Sequence, residues 1–335
     1  KTAYGTYTDI CELAPALGVS AVNLSIGYEH EHTAEETLDT KVMNANIARI
    51  PKMLDGQYYE WKEEEYYSKY DILLEGRDPE EFKKHVAVQA KIELGFERFL
   101  EEKNYHAIVT HFGDLGALKQ LPGLAIQRME EKGYGFGAEG DWKTAALVRT
   151  AWYMGQGLPK GSSFLEDYTI HFDGANSALL QAHMLEISPA IAAEKPKLEV
   201  HHLGIGVRKT QTARLVFTSK TGDGVAVTVV DMGNRFRLIV NEVNCIESKP
   251  LPKLPVASAL WIPKPSFEVG AAAWMLAGGT HHTSFSYDLT TEYWEDYAEL
   301  ADVEMLVIND QTTLSDFKKE MRVNEVYYML NKALK

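Results

Sequence analysis

The sequence is poor in cysteine, in basic clusters and in long apolar runs, and each shortage removes a class of protein. Two cysteines, Cys11 and Cys245, stand far apart in 335 residues, which excludes a disulfide-stapled scaffold and suits a reducing compartment. Lys and Arg total 34 against 48 Asp and Glu, a formal charge of −14. No basic cluster forms a phosphate-backbone footprint, so neither nucleic acid nor an anionic membrane is expected as a partner. No run approaches the roughly 18 apolar residues of a membrane helix, and the opening residues carry no basic-then-apolar signal pattern. A cytoplasmic location is expected. HExxH, CxxC and GxSxG motifs are missing, as are internal repeats and low-complexity tracts.

What is present is an ordinary globular composition, 45% hydrophobic and 24% charged, in a chain longer than the roughly 100 to 200 residues of one domain. The acidic, Tyr-rich stretch "DGQYYEWKEEEYYSKYD" is the clearest seam. Before it lie a short helix, an apolar strand around Val19 to Ile26 and an amphipathic helix. After it, a long helical pattern from Asp78, the strand "YHAIVT" and the helix "GLAIQRMEEKG" give α/β layering. Beyond Gly161, strand-like runs broken by Gly, Asp and Asn turns predict a mostly antiparallel β domain. The tail returns to alternating helix and strand. The expected fold is α/β: a partial Rossmann-like α/β layer, then the antiparallel β domain with C-terminal α/β elements. The division is 1–56, 57–160 and 161–335, the last carrying the catalytic domain.

The stretch "GYGFGAEGDWKTAA", Gly133 to Ala146, places a carboxylate, Glu139, among glycines ahead of a helix. A phosphate loop is a poor fit, because Asp141 and Trp142 intervene between Gly140 and Lys143. Asp141 reads as a helix N-cap, which leaves Glu139 unexplained. Glu166, His183 and the pair His281–His282 lie on short elements flanked by apolar residues, where an ionisable group is costly unless paired or ligated. Two carboxylates with two imidazoles suit Mn²⁺, Mg²⁺ or Co²⁺ better than a thiolate zinc site. Taken singly, each histidine reads more readily as a hydrogen-bonded core or loop residue than as a ligand. In an extended strand His281 and His282 point to opposite faces, so one of the two is expected at a metal. His201–His202 is a weaker candidate, and His85, His106 and His111 read as surface or strand-end residues.

The runs "LKQLPGLAIQRMEEKGYGFGAEGDWKTAALVRT", "GSSFLEDYTIHF", "AHMLEISPAIAAEKP", "HHLGIG", "DMGNRFRLIVNEV", "LPKLPVASALW" and "AWMLAGGTHHTSFS" closely resemble the L-arabinose isomerase family. The resemblance runs in order from about Tyr58 to the C-terminus. It implies that Glu139, Glu166, His183 and one of His281 and His282, with His282 favoured, bind a divalent metal, usually Mn²⁺, with Co²⁺ or Mg²⁺ possible. It further implies conversion of L-arabinose to L-ribulose, or D-galactose to D-tagatose, through a cis-enediol, with Glu139 and Glu166 as the catalytic pair. A small aldose is the implied partner, in a homo-oligomer built from trimers. The family's N-terminal region, which completes a neighbour's pocket, has no counterpart here. The sequence also departs from the family at Gly113, where an acid is usual, and near Gly116, where a histidine is usual. Residues 1–55, in "GTYTDICELAPALGVSAVNLSIGYEHEHTAEE", resemble the C-terminal end of co-catalytic zinc exopeptidases, which implies a zinc role for His32. The alternatives are therefore a catalytically silent metal- or sugar-binding mosaic and a zinc metallopeptidase-like hydrolase.

Overall fold

The computed structural model describes residues 63–333 except 114, 117, 173–176, 203–209 and 250, together with β1 (Tyr28–Glu29) and β2 (Thr37–Leu38), an antiparallel pair. The expected strand at Val19 to Ile26, Cys11 and His32 lie outside the described residues.

Helix α1 (Glu63–Lys69) leads into β3 (Asp71–Ile72) and then α2 (Pro79–Lys103). Asp78 caps α2 by accepting from the N–H groups of Glu80 and Glu81, with Pro79 in the first turn where its missing N–H costs nothing. The helix ends at Asn104, whose left-handed backbone (φ 55°) terminates it. Strand β4 (Ala107–Thr110), helix α3 (Gly123–Glu131) and strand β5 (Gly135–Ala138) form a βαβ unit, with β4 and β5 parallel in register from Ala107↔Gly135 to Thr110↔Ala138. Helix α4 (Trp142–Met154) lies against β5. The two strand glycines make that approach possible: a Cβ on Gly135 would come within 2.1 Å of the Ala145 carbonyl oxygen, and one on Gly137 within 1.9 Å of that of Asp141.

The chain then continues through β6 (Ser162–His171), β7 (Ala178–Ala182), β8 (Lys197–His201), β9 (Thr212–Val216), β10 (Gly222–Asp231), β11 (Phe236–Ile246) and β12 (Ser258–Pro263). After these come α5 (Phe267–Ala277), β13 (His282–Ser286), α6 (Thr291–Ala301), β14 (Glu304–Ile308) and α7 (Leu314–Ala333). Six strands in the order β10, β13, β6, β7, β12, β11 pair antiparallel, and the β10–β11 hairpin closes them into a ring. Closure removes the sheet edges that an open antiparallel sheet would expose. Strand β14 adds in parallel to residues 237–241 of β11, below the stretch that pairs with β12.

Period-two alternation separates the two faces of the ring. On β10, Val225, Val227 and Val229 join a core with Leu147 of α4 and Trp294 of α6, while Ala226 joins Leu165, Val243, Trp261 and Phe285. On β6, Leu165 belongs to that latter core, whereas Phe164 packs with Phe136 of β5 and Val148 of α4. The α/β layer therefore sits on the face of β6 that carries Phe164 and, two residues on, Glu166. Strands β3, β8 and β9 form a separate small sheet. Among the described residues no helix is long and apolar enough to cross a membrane.

Candidate metal centre

Glu139 follows β5 directly, at the carboxyl end of the parallel pair, where α/β sheets place their ligands. Its backbone is left-handed (φ 56°) and so is that of Gly140 (φ 85°). For a residue with a Cβ this conformation costs about 1–3 kcal/mol and persists where the surroundings enforce it. Here the Gly140 N–H donates to the Thr110 carbonyl at 3.2 Å and the Asp141 N–H to that of Ala138 at 2.8 Å. Asp141 then caps α4 through the Thr144 N–H (3.1 Å) and hydroxyl (2.7 Å). Glu166 on β6 stands directly opposite His282 on β13. His183 comes one residue after β7.

Both buried imidazoles are held the same way. His183 Nδ1 is 2.5 Å from Glu186 Oε2, and its Nε2 is 3.9 Å from Glu166 Oε2. His282 Nδ1 is 3.1 Å from Asp141 Oδ2, and its Nε2 is buried with no hydrogen-bond partner among the described residues. A carboxylate on Nδ1 fixes the tautomer that donates there and leaves the Nε2 lone pair bare. The two rings lie 6.1 Å apart, each edge-on to Phe164 at 5.3 and 5.2 Å. Exposed His281 completes the group, its Nε2 3.9 Å from Glu139 Oε2 and 4.0 Å from Glu166 Oε1. Glu139, His281 and His282 each offer a ligand atom, all within 4.8 Å of one another.

These residues fit a divalent cation. An unsatisfied buried imidazole nitrogen costs about 1–3 kcal/mol, and a bound cation would meet it. Carboxylate oxygens with imidazole nitrogens and no thiolate are the donor set of a borderline-to-hard ion.

The local field has named causes. Burial holds the Glu166 carboxyl above the usual range; the three imidazoles oppose that and Glu139 adds to it. Burial pulls the His183 imidazole down, but contact with Glu186 outweighs it and the ring titrates above its ordinary value. Burial would raise Asp141, yet the hydrogen bonds from His282 and Thr144 hold it below the carboxylate range. Asp167 is pushed up to about 6 by burial, against a hydrogen bond from Gln181 and with the charge of Glu166.

Glu139, Glu166, His183 and His282 thus converge from four separate elements. The expectation that His281 and His282 face opposite ways is corrected. His281 precedes the strand, so strand alternation does not govern it, and the two rings lie 4.1 Å apart on the same cluster. Glu186 and the platform Phe164 are functional candidates that the sequence reading passed over. A glutamate three residues after a histidine in an apolar run was the available signal for Glu186. At the departure from the family pattern, the Gly113 N–H donates to His111 Nδ1 at 3.1 Å. His201 joins a different cluster, with Glu75 and Glu199.

Comparison with known proteins places the chain in a family. Residues 29–157 match the family model described as the L-arabinose isomerase central domain, and 161–304 match the C-terminal domain of the same enzyme. The L-arabinose isomerase of Bacteroides thetaiotaomicron is 67% identical over 276 residues, which are 80% of this chain and 54% of that protein. That of Phocaeicola vulgatus is 66% identical over 276 residues, again 80% and 54% of the two chains. That of Geobacillus kaustophilus is 52% identical over 266 residues, 79% of this chain and 53% of the relative. The chain spans about half the length of the curated relatives it matches.

Proposed function

The chain belongs to the L-arabinose isomerase family, and on that premise we propose that it interconverts an open-chain aldose and its ketose. The pair is L-arabinose and L-ribulose, with D-galactose and D-tagatose as a second pair. Glu139, Glu166, His183 and His282 would hold a divalent cation, Mn²⁺ foremost, with Co²⁺ or Mg²⁺ in its place. Such an ion, when bound, polarises the substrate carbonyl and makes the neighbouring C–H bond more acidic.

The observation that carries this reading is the bare, buried Nε2 of His282 beside a second imidazole oriented in the same way. In the aldose-to-ketose direction, one of Glu139 and Glu166 removes the proton on C2 and the other supplies a proton to the C1 oxygen, giving a cis-enediol. Return of a proton to C1 and loss of one from the C2 oxygen give the ketose, and the two acids exchange roles in reverse. His183 and His282 stay fixed throughout, because Glu186 and Asp141 hold their Nδ1 atoms. Phe164 and the packed wall behind it keep water from the buried side of the rings.

A homo-oligomer, trimeric or hexameric, in the cytoplasm and a division into 1–56, 57–160 and 161–335 belong to the same proposal. Exposed Val323, Val326, Tyr327, Met329 and Leu330 on α7 support the oligomer.

The test is L-arabinose turnover by the Mn²⁺-loaded chain in D₂O. L-ribulose carrying deuterium on C1 is the expected product. Ketose without deuterium would replace the enediol by a hydride shift. No ketose, from protein that binds Mn²⁺, would reduce the chain to a metal site without turnover.

A further inference from the structure

We infer that Glu130 is a positioning residue of the metal centre: its carboxyl takes the place of a missing strand beside Phe164 and so fixes the ring against which both buried imidazoles pack. The inference rests on the metal reading above, in which Glu130 has no part.

A gap between β6 and β7 creates the need. The Asp167 N–H donates to the His281 carbonyl at 2.8 Å, and the Tyr287 N–H to that of Gly161 at 3.2 Å. Alternate residues of an antiparallel strand turn their backbone polar groups to opposite neighbours, so Phe164 turns its own away from β13. On that side β7 pairs from Asp167↔Gln181 to His171↔Ala178 and ends at Ala182, where the chain turns off to present His183. Phe164 is left without a strand partner for its N–H and its carbonyl. Buried backbone groups must be met, and two side chains do so. The Phe164 N–H donates to Glu130 Oε2 at 2.8 Å. The Ser163 hydroxyl donates to the Phe164 carbonyl at 2.6 Å and accepts from the Ser188 N–H at 2.9 Å.

Glu130 reaches the gap from the last turn of α3. It is 4% exposed, and its Oε1 has no hydrogen-bond partner among the described residues. A buried carboxylate without a cation is too costly to keep its charge. Burial holds the carboxyl well above the usual range, against the Phe164 N–H and with the charge of Glu186. The one bond this acid makes falls on the residue whose ring lies edge-on to His183 at 5.3 Å and to His282 at 5.2 Å. Glu166 follows two residues later on the same strand. Displacement of the Phe164 backbone would therefore move the ring and a proposed ligand together.

The test compares the wild-type chain with Glu130→Gln, whose amide oxygen still accepts, and Glu130→Leu, which fills the space without accepting. If Glu130→Leu does not fold, Glu130→Met, unbranched and adaptable, takes its place. The imidazole resonances of His183 and His282 are read by NMR on the metal-free chain, where the edge-on Phe164 ring marks both, and Mn²⁺ affinity by titration. Glu130→Gln is expected to match wild type in both. Folded Glu130→Leu is expected to shift both imidazoles and to bind Mn²⁺ about tenfold more weakly, the low end of what outer partners of a metal contribute. Resonances unmoved in the apolar variant, or displaced in Glu130→Gln, would overturn the inference. No Mn²⁺ binding by wild type would strike the metal reading alone, and the resonances would still decide the role of Glu130.

Discussion

At the residue scale, orientation of the imidazoles governs the site. Glu186 Oε2 accepts both from His183 Nδ1 and from the Leu185 N–H (3.0 Å), so it is itself fixed. Glu186→Gln keeps the volume and removes the charge that selects the tautomer. Mn²⁺ affinity is expected to fall about 10- to 100-fold, the usual cost of losing such a partner, with the fold retained. Titration showing unchanged affinity would remove Glu186 from this role. The four proposed ligands were legible because each is an ionisable residue in a glycine-rich or apolar setting with a specific flanking motif. Glu186 sat in one of those motifs, "HMLE", but its sequence spacing could not show that it turns back onto His183.

At the element scale, α2 and α3 are joined by a buried ion cluster. Arg128 Nε is 2.8 Å from Glu93 Oε2, its Nη2 is 2.9 Å from Glu65 Oε1, and its guanidinium stacks on the Tyr66 ring at 4.4 Å. Arg128 and Glu93 side chains are 1% and 2% exposed. Breaking such a pair from one side leaves an uncompensated buried charge, so Glu93→Ala is expected to cost about 3–5 kcal/mol in urea unfolding. Removing the exposed Glu80–Lys83 pair should cost at most about 1 kcal/mol. Equal effects of the two would contradict the account. The helices themselves were readable from their helical patterning, the long one from Asp78 onward. The pairing was not, because Arg128 and Glu93 lie 35 residues apart and each reads in sequence as a solvated charge on a helix.

At the scale of the whole molecule, the strand-like runs beyond Gly161, broken by Gly, Asp and Asn turns, announced an antiparallel sheet, but not that β10 and β11 form a hairpin. That this hairpin closes a six-stranded ring was not legible, since closure depends on the β13–β6 and β7–β12 pairings between segments distant in sequence. Ring closure nevertheless builds the site. It sets His282 beside Glu166 across a strand pair, and the α/β layer then brings Glu139 and Asp141 over the same face. The most direct test of this assembly is L-ribulose formation from L-arabinose by metal-depleted chain, before and after addition of Mn²⁺, with Glu166→Gln alongside. The account predicts ketose only after Mn²⁺ is restored, and a loss of about 10²-fold or more in the variant. Ketose formed at the same rate without metal, or undiminished in Glu166→Gln, would contradict it.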